Sequence, residues 1–228
     1  MKKNKEKIIT ILKATERKGI DNLIKWLEES DFFTAPASTD FHGNENGGLA
    51  AHSLSVYELL AEKVKRYQTM ILDDSVAICG LMHDICKTNF YKRDIKSIID
   101  PDNPKVMKSY PEEKDPISGK VLKWGEREVK NWIDKEVWVV DDQFPAGHGE
   151  KSVFLLQEHI KLTKEEMLAI RWHMIAFDAG IHFNYPSGFP FRKAVDEYPL
   201  VTLLFTADFE SSSILEKVNE DNRKINKI

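Results

Sequence analysis

The sequence predicts a mainly α-helical fold that carries a small β-containing insertion over about residues 90–146. Two features lead to this reading. Apolar residues recur at helical spacing on both sides of that stretch. Inside it, Pro101, Pro104, Pro111, Pro116 and Pro145 break the pattern, and β-branched and aromatic runs take its place.

Residues 4–30 read as helix in two pieces divided near Gly19, with Ile8, Ile11 and Leu12 and then Ile20, Leu23, Ile24 and Leu27 forming the stripe. Residues 33–48, with Pro36, Gly43, Gly47 and Gly48, read as an ordered loop. A helix follows over 49–67, with Leu54, Leu59, Leu60 and Val64 on its apolar side. The next starts near Asp73 or Asp74, either of which can cap it, and runs through Val76, Ala77, Ile78, Leu81 and Met82 to His83 and Asp84. Within the insertion, Lys120–Trp124 and Glu136–Val140 have the composition of short strands in a hairpin or two. Helices resume over 150–160 and 163–176, the second opened by a capping box of Thr163 and Glu166. A Gly/Pro/aromatic loop covers 177–190, and a short helix 191–197. Pro199 then suits the first position of a long helix that reaches roughly Leu215. The polar tail from Asn219 is expected to fray. The whole, 1–228, reads as a single domain with the insertion inside it.

Composition narrows the function. Hydrophobic content of 42% with 31% charged residues fits an ordinary globular chain. The net charge of −4, from 33 basic and 37 acidic residues, argues against long nucleic acid as the partner. It does not exclude a mononucleotide, whose phosphate a bound metal can neutralise. No run of eighteen apolar residues suggests a membrane span, and the basic start lacks the apolar core of a signal peptide. Cys79 and Cys86 lie two helical turns apart, about 10 Å, too far for a disulfide. A reducing, cytoplasmic setting is the expectation.

The pair His83–Asp84 ends an apolar helix directly. An imidazole and a carboxylate are costly to bury unless something binds them, and a divalent metal satisfies both. Lys87, three and four positions on, shares a helix face with the pair, and a cation beside a metal suggests an anionic substrate. Other candidates have similar contexts. His52 follows a glycine loop into a helix, His148 lies between two glycines, His173 ends the capped helix, and Asp208 sits among Leu203, Leu204, Phe205 and Phe209. Lys151 and Ser152 open a helix, where backbone N–H groups attract anions, and so are candidates for phosphate. His42 stands in the loop leading to His52 and is a candidate to face the pocket.

A histidine on an early helix, an adjacent His-Asp ending a later one and an aspartate in a late apolar helix resemble the HD superfamily of metal-dependent phosphohydrolases. The matching residues are His52, His83, Asp84 and Asp208. His148 and His173 resemble the two further histidines of its binuclear branch. The resemblance spans about residues 40–212, leaves the insertion uncovered, and departs from the family at Cys86, where the motif usually has glycine. It implies an HD-domain helical bundle. It implies one or two divalent transition metals (Mn, Fe, Co, Ni or Zn), the first held by His52, His83, Asp84 and Asp208. Asp84 would bridge to a second held by His148 and His173. Catalysis would fall to Asp84 and Lys87, Lys87 stabilising charge on a small phosphorylated substrate, a nucleotide or short oligonucleotide, attacked by a metal-activated water. The same ligands are compatible with a di-iron HD-fold oxygenase. A non-catalytic nucleotide-sensing module is the remaining alternative.

Overall fold

The computed structural model describes residues 1–39, 43–174 and 188–217. The chain divides into two units, one formed by Met1–Lys92 with Val140–Ile228, the other by Arg93–Val139.

The first unit is built from helices. α1 (Lys2–Ala14) and α2 (Ile20–Glu29) are separated by Gly19, whose φ of 92° only glycine adopts without strain. α3 (Gly48–Tyr67) packs against α4 (Asp73–Met82) and α8 (Pro199–Glu210). α5 (His148–Gln157) lies against α6 (Lys164–Trp172), and α6 and α7 (Gly188–Glu197) lie against α8. Every residue of α4 from Ser75 to Met82 is buried, so this helix is apolar all round and sits at the centre. Leu12, Leu27, Leu60 and Leu156 are fully buried in the same core.

Two glycines set how closely the helices approach. A Cβ on Gly80 would lie 2.7 Å from the Tyr57 Cα, so α3 and α4 touch backbone to backbone there. A Cβ on Gly149 would lie 2.3 Å from the Arg171 carbonyl oxygen, so α5 presses on the end of α6.

A buried polar cluster joins the helix starts. The capping box is present, with Thr163 accepting from the Glu166 amide and the Glu166 carboxylate accepting from the Thr163 amide. That carboxylate also accepts from Ser75 Oγ at 2.7 Å and pairs with Arg17, which reaches Asp74 at 2.6 Å. Burial works against charge on Glu166. Arg17 and these donors nevertheless hold its carboxyl below the usual value.

The second unit takes in most of four strands: β1 (Tyr91–Ile99) pairs with β4 (Trp132–Val140), and β2 (Lys105–Lys114) with β3 (Val121–Lys130). β2 and β3 run antiparallel from Lys105 opposite Lys130 to Pro111 opposite Trp124, and the register shifts beyond Pro111. Proline has no N–H for the ladder, so an irregularity there is expected. The Asp115 carboxylate accepts from the Ile117 and Ser118 amides, each at 2.8 Å, and closes the turn.

The mainly α expectation is corrected by these strands. The chain is 51% helix and 19% strand, the strands forming two small antiparallel sheets, which makes it a mixed α/β protein. Short β segments were expected, whereas each strand runs nine or ten residues. Most of their side chains are exposed, and charged residues are interspersed throughout, so the apolar alternation that reveals a half-buried strand is faint. Among the described residues no helix is long and apolar enough to cross a membrane. The two cysteines are free and buried. Residues 175–187, which carry most of the expected 177–190 loop, and the tail from 218 lie outside the described residues.

Candidate metal centre

The first unit gathers His52, His83, Asp84, His148, His173 and Asp208 at one place. Three overlapping groups of donors (His52, His83 and Asp84; His83, His173 and Asp208; Asp84, His148 and His173) each lie within 4.8 Å of one another.

Local structure explains how each arrives. His52 is on the buried side of α3 with Leu49 and Val56. His83 is the first residue past α4, its amide bonded to the Cys79 carbonyl at 3.1 Å. Asp84 follows at φ −105°, ψ 18°, near the sparsely populated bridge region where active-site residues are often found. A single 3₁₀ turn, Ile85–Lys87, then folds Lys87 back over Asp84. Residues three apart eclipse in such a turn, and Lys87 Nζ lies 2.7 Å from Asp84 Oδ2. His148 opens α5, His173 caps the end of α6, and Asp208 is in the last turn of α8.

Asp84 is the centre of the group and is 1% exposed. Its Oδ1 faces His148 Nε2 at 2.8 Å and His173 Nε2 at 3.3 Å. Its Oδ2 faces His52 Nε2 and His83 Nε2, each at 3.6 Å, together with Lys87. Asp208 Oδ1 stands 3.2 Å from His52 Nε2 and 3.9 Å from His83 Nε2. One carboxylate therefore presents an oxygen to each of two imidazole pairs.

The far side of three rings is fixed. His83 Nδ1 donates to the Gly80 carbonyl at 3.0 Å and His173 Nδ1 to the Ile170 carbonyl at 2.6 Å. His52 Nδ1 donates to the Glu216 carboxylate at 2.6 Å. Carbonyls and carboxylates only accept, so each of these Nδ1 atoms carries a proton, and on a neutral ring that leaves the Nε2 lone pair pointing inward. His52 Nε2 and His83 Nε2 face each other at 3.3 Å, and both can act as metal donors once His52 gives up the proton that Asp208 and Glu216 favour on it. Two nitrogens bound to one tetrahedral ion at about 2.0–2.1 Å lie about 3.3–3.4 Å apart. The donor set, its spacing and its fixed tautomers thus fit a divalent metal.

The electrostatics agree. Burial opposes charge on His52, but Asp208 and Glu216 outweigh it and push the imidazole up to about 10, so without a cation a proton must serve the two carboxylates. Burial brings His83 down to about 4, so it stays neutral. Burial would raise Asp84, yet the Lys87 ammonium beside it holds its carboxyl well below the usual range.

The remaining sequence candidates are placed differently. Lys151 is buried, pairs with Asp142 and stands 4.7 Å from the Phe90 ring centre. Ser152 is fully buried and its Oγ accepts from the Cys86 amide at 3.3 Å. His42 lies outside the described residues. Cys86 Sγ sits 3.4 Å from His148 Nε2 and 3.5 Å from Nδ1, so the thiol packs on the ring instead of bonding one nitrogen.

Sequence reasoning missed Glu216. One turn of π-helix, Ser211–Leu215, separates it from α8, and no regular helical spacing points to it. The chain matches no protein-family model, no curated protein and no solved structure.

Proposed function

We propose that this protein is a metal-dependent phosphohydrolase of the HD type, acting on a small phosphomonoester or phosphodiester of a nucleotide or short oligonucleotide. The observation that carries the reading is the two-sided carboxylate: Asp84 offers Oδ1 to His148 and His173, and Oδ2 to His52 and His83. That is the arrangement a carboxylate shared by two metals requires. His52, His83, Asp84 and Asp208 would hold one ion; Asp84, His148 and His173 a second. Divalent metals at such a site supply Lewis acidity toward a phosphoryl oxygen and a water acidified to near-neutral pKa.

The chain's own groups supply the rest. The imidazoles keep their protons on Nδ1 and leave Nε2 as a donor atom. Lys87, its ammonium held charged by Asp84, brings positive charge to the edge of the cluster where a phosphoryl group gains negative charge. A nearby cation favours an anionic substrate, and so favours hydrolysis over the di-iron oxygenase alternative.

The test is metal analysis of the purified protein combined with a phosphoester panel, repeated on Asp84→Ala and Lys87→Ala. Wild type should carry metal and release product. Asp84→Ala should lose both. Lys87→Ala should keep metal and turn over at least about tenfold more slowly, as for loss of one charge-stabilising group. A metal-free wild type, or Asp84→Ala turning over equally fast, rejects the proposal.

A further inference from the structure

We propose that Glu216 is a positioning residue of the metal centre, acting through His52; the inference rests on the reading of the cluster as a metal site. Its Oε1 accepts from His52 Nδ1 at 2.6 Å, on the ring edge opposite the donor atom. A carboxylate behind a ligating imidazole fixes the tautomer, locks the ring plane and makes Nε2 more basic. His83 and His173 have only neutral carbonyls in that place. Of these three rings, His52 alone has an anion behind it.

The backbone is shaped to deliver this contact. Asp208 and Glu216 are eight residues apart, which in a regular α-helix leaves them about 80° out of alignment. The π turn Ser211–Leu215 absorbs one residue, so the two behave as if seven apart, within about 20° of the same face. The result is that one imidazole is held between two carboxylates of one helical segment, Asp208 at Nε2 and Glu216 at Nδ1. Glu216 is itself held: the fully buried Ser211 donates to its Oε1 at 3.0 Å and stands 2.8 Å from Ser55 Oγ, one turn beyond His52 on α3. The segment from the π turn onward is therefore tied to the helix that carries His52.

The experiment uses the full chain with Co²⁺ as probe. Affinity is measured by equilibrium dialysis and the ligand field by the visible absorption of bound Co²⁺, for wild type, Glu216→Ala and Glu216→Gln. The expected result is an affinity loss of about tenfold to a hundredfold for Glu216→Ala, with a shifted cobalt band. Glu216→Gln, which still accepts the Nδ1 proton without the charge, should fall in between. A role limited to helix packing would lower stability and leave the cobalt band unchanged. Equal affinity and an unchanged band in Glu216→Ala overturn the inference while leaving the metal site standing. If wild type itself binds no Co²⁺, the metal reading fails and this inference with it. Should Glu216→Ala not fold, Glu216→Gln decides: weaker binding supports the role and equal binding refutes it.

Discussion

Replacing Gly80 with alanine tests whether the helix approach sets the donor spacing. The new Cβ would stand 2.7 Å from the Tyr57 Cα, 3.0 Å from its Cβ and 3.2 Å from its nitrogen. Two of these three atoms are backbone and the third is the Tyr57 Cβ, so no rotamer change relieves the contact. An ordinary separation needs α3 and α4 to part by about 0.7 Å or more. Overpacking of this kind costs about 1–3 kcal/mol, offset by about 1 kcal/mol of helix propensity gained over glycine, so the fold should survive with a net loss of up to about 2 kcal/mol. The donors are less tolerant. His52 on α3 and His83 after α4 would move from 3.3 Å toward 4 Å, well beyond the tolerance of about 0.2 Å that metal–ligand distances allow. Metal affinity should drop by about tenfold or more, measured by competition with a chelating dye, while urea unfolding reports the stability. Gly119→Ala is the control. Its φ of 68° makes alanine unfavourable by about 1–2 kcal/mol, but nothing lies within 4 Å of the new Cβ, so affinity should not change. Gly80→Ala binding metal as tightly as wild type would refute the reasoning.

Two further outcomes follow from the same geometry. A divalent ion at a hundred times its dissociation constant should stabilise the protein by about 2.7 kcal/mol, a Tm rise of about 5–11 °C for a chain of this size, and Asp84→Asn should abolish the rise in a calorimetric scan. The carboxyl of Glu166 titrates below its ordinary value of 4.5, so its contribution is full above that pH and is lost as the pH falls through the folded pKa. Glu166→Gln should therefore cost about 3 kcal/mol at pH 7, with the gap to wild type narrowing as the pH falls below 4.5 in urea titrations; a gap that stays constant through that fall would show that the charge is not its source.

What the sequence could reveal depended on how each feature repeats. The helices around the cluster were legible because a buried stripe recurs at 3.6 residues, as at Ile20, Leu23, Ile24 and Leu27, and because Thr163 and Glu166 form a local cap. The six clustered His and Asp residues were legible because each is polar amid apolar neighbours or beside glycine. The strands were underestimated because β1 and β2 expose nearly every side chain, leaving no face to alternate. α4 starts at Asp73 as expected, but its N-cap is Leu72: Asp74 lies inside the first turn, where its Oδ1 accepts from the Ser75 amide at 2.9 Å and its Oδ2 pairs with Arg17, a partner 57 residues away that local pattern cannot reveal. Lys151, a candidate for phosphate from its place in the first turn of α5, is buried and pairs with Asp142, a partner that the helix-start pattern does not reveal. Glu216 was hidden because the π turn shifts its phase, so helical arithmetic from Asp208 points to Leu215 instead.

The charge of the cluster carries one more consequence. Asp84, Asp208 and Glu216 bring three carboxylates and Lys87 one ammonium, all largely buried, so with neutral imidazoles the site holds an excess of two negative charges. Such an excess is unfavourable away from water, and without a cation His52 takes up a proton to reduce it. One divalent ion cancels it. A second ion would turn the site positive by two charges and so requires an anion, which a phosphate ester supplies. Unit charges about 4 Å apart at an effective dielectric of about 20 interact by about 4 kcal/mol, whereas a tenfold change in affinity needs only about 1.4 kcal/mol. Titrating Mn²⁺ into the protein by calorimetry should therefore show one tight ion in phosphate-free buffer. A second should bind at least about tenfold tighter once inorganic phosphate is present, and by reciprocity Mn²⁺ should tighten phosphate by the same factor. Two ions binding with equal affinity whether or not phosphate is present would break the link between the charge of this cluster and an anionic substrate.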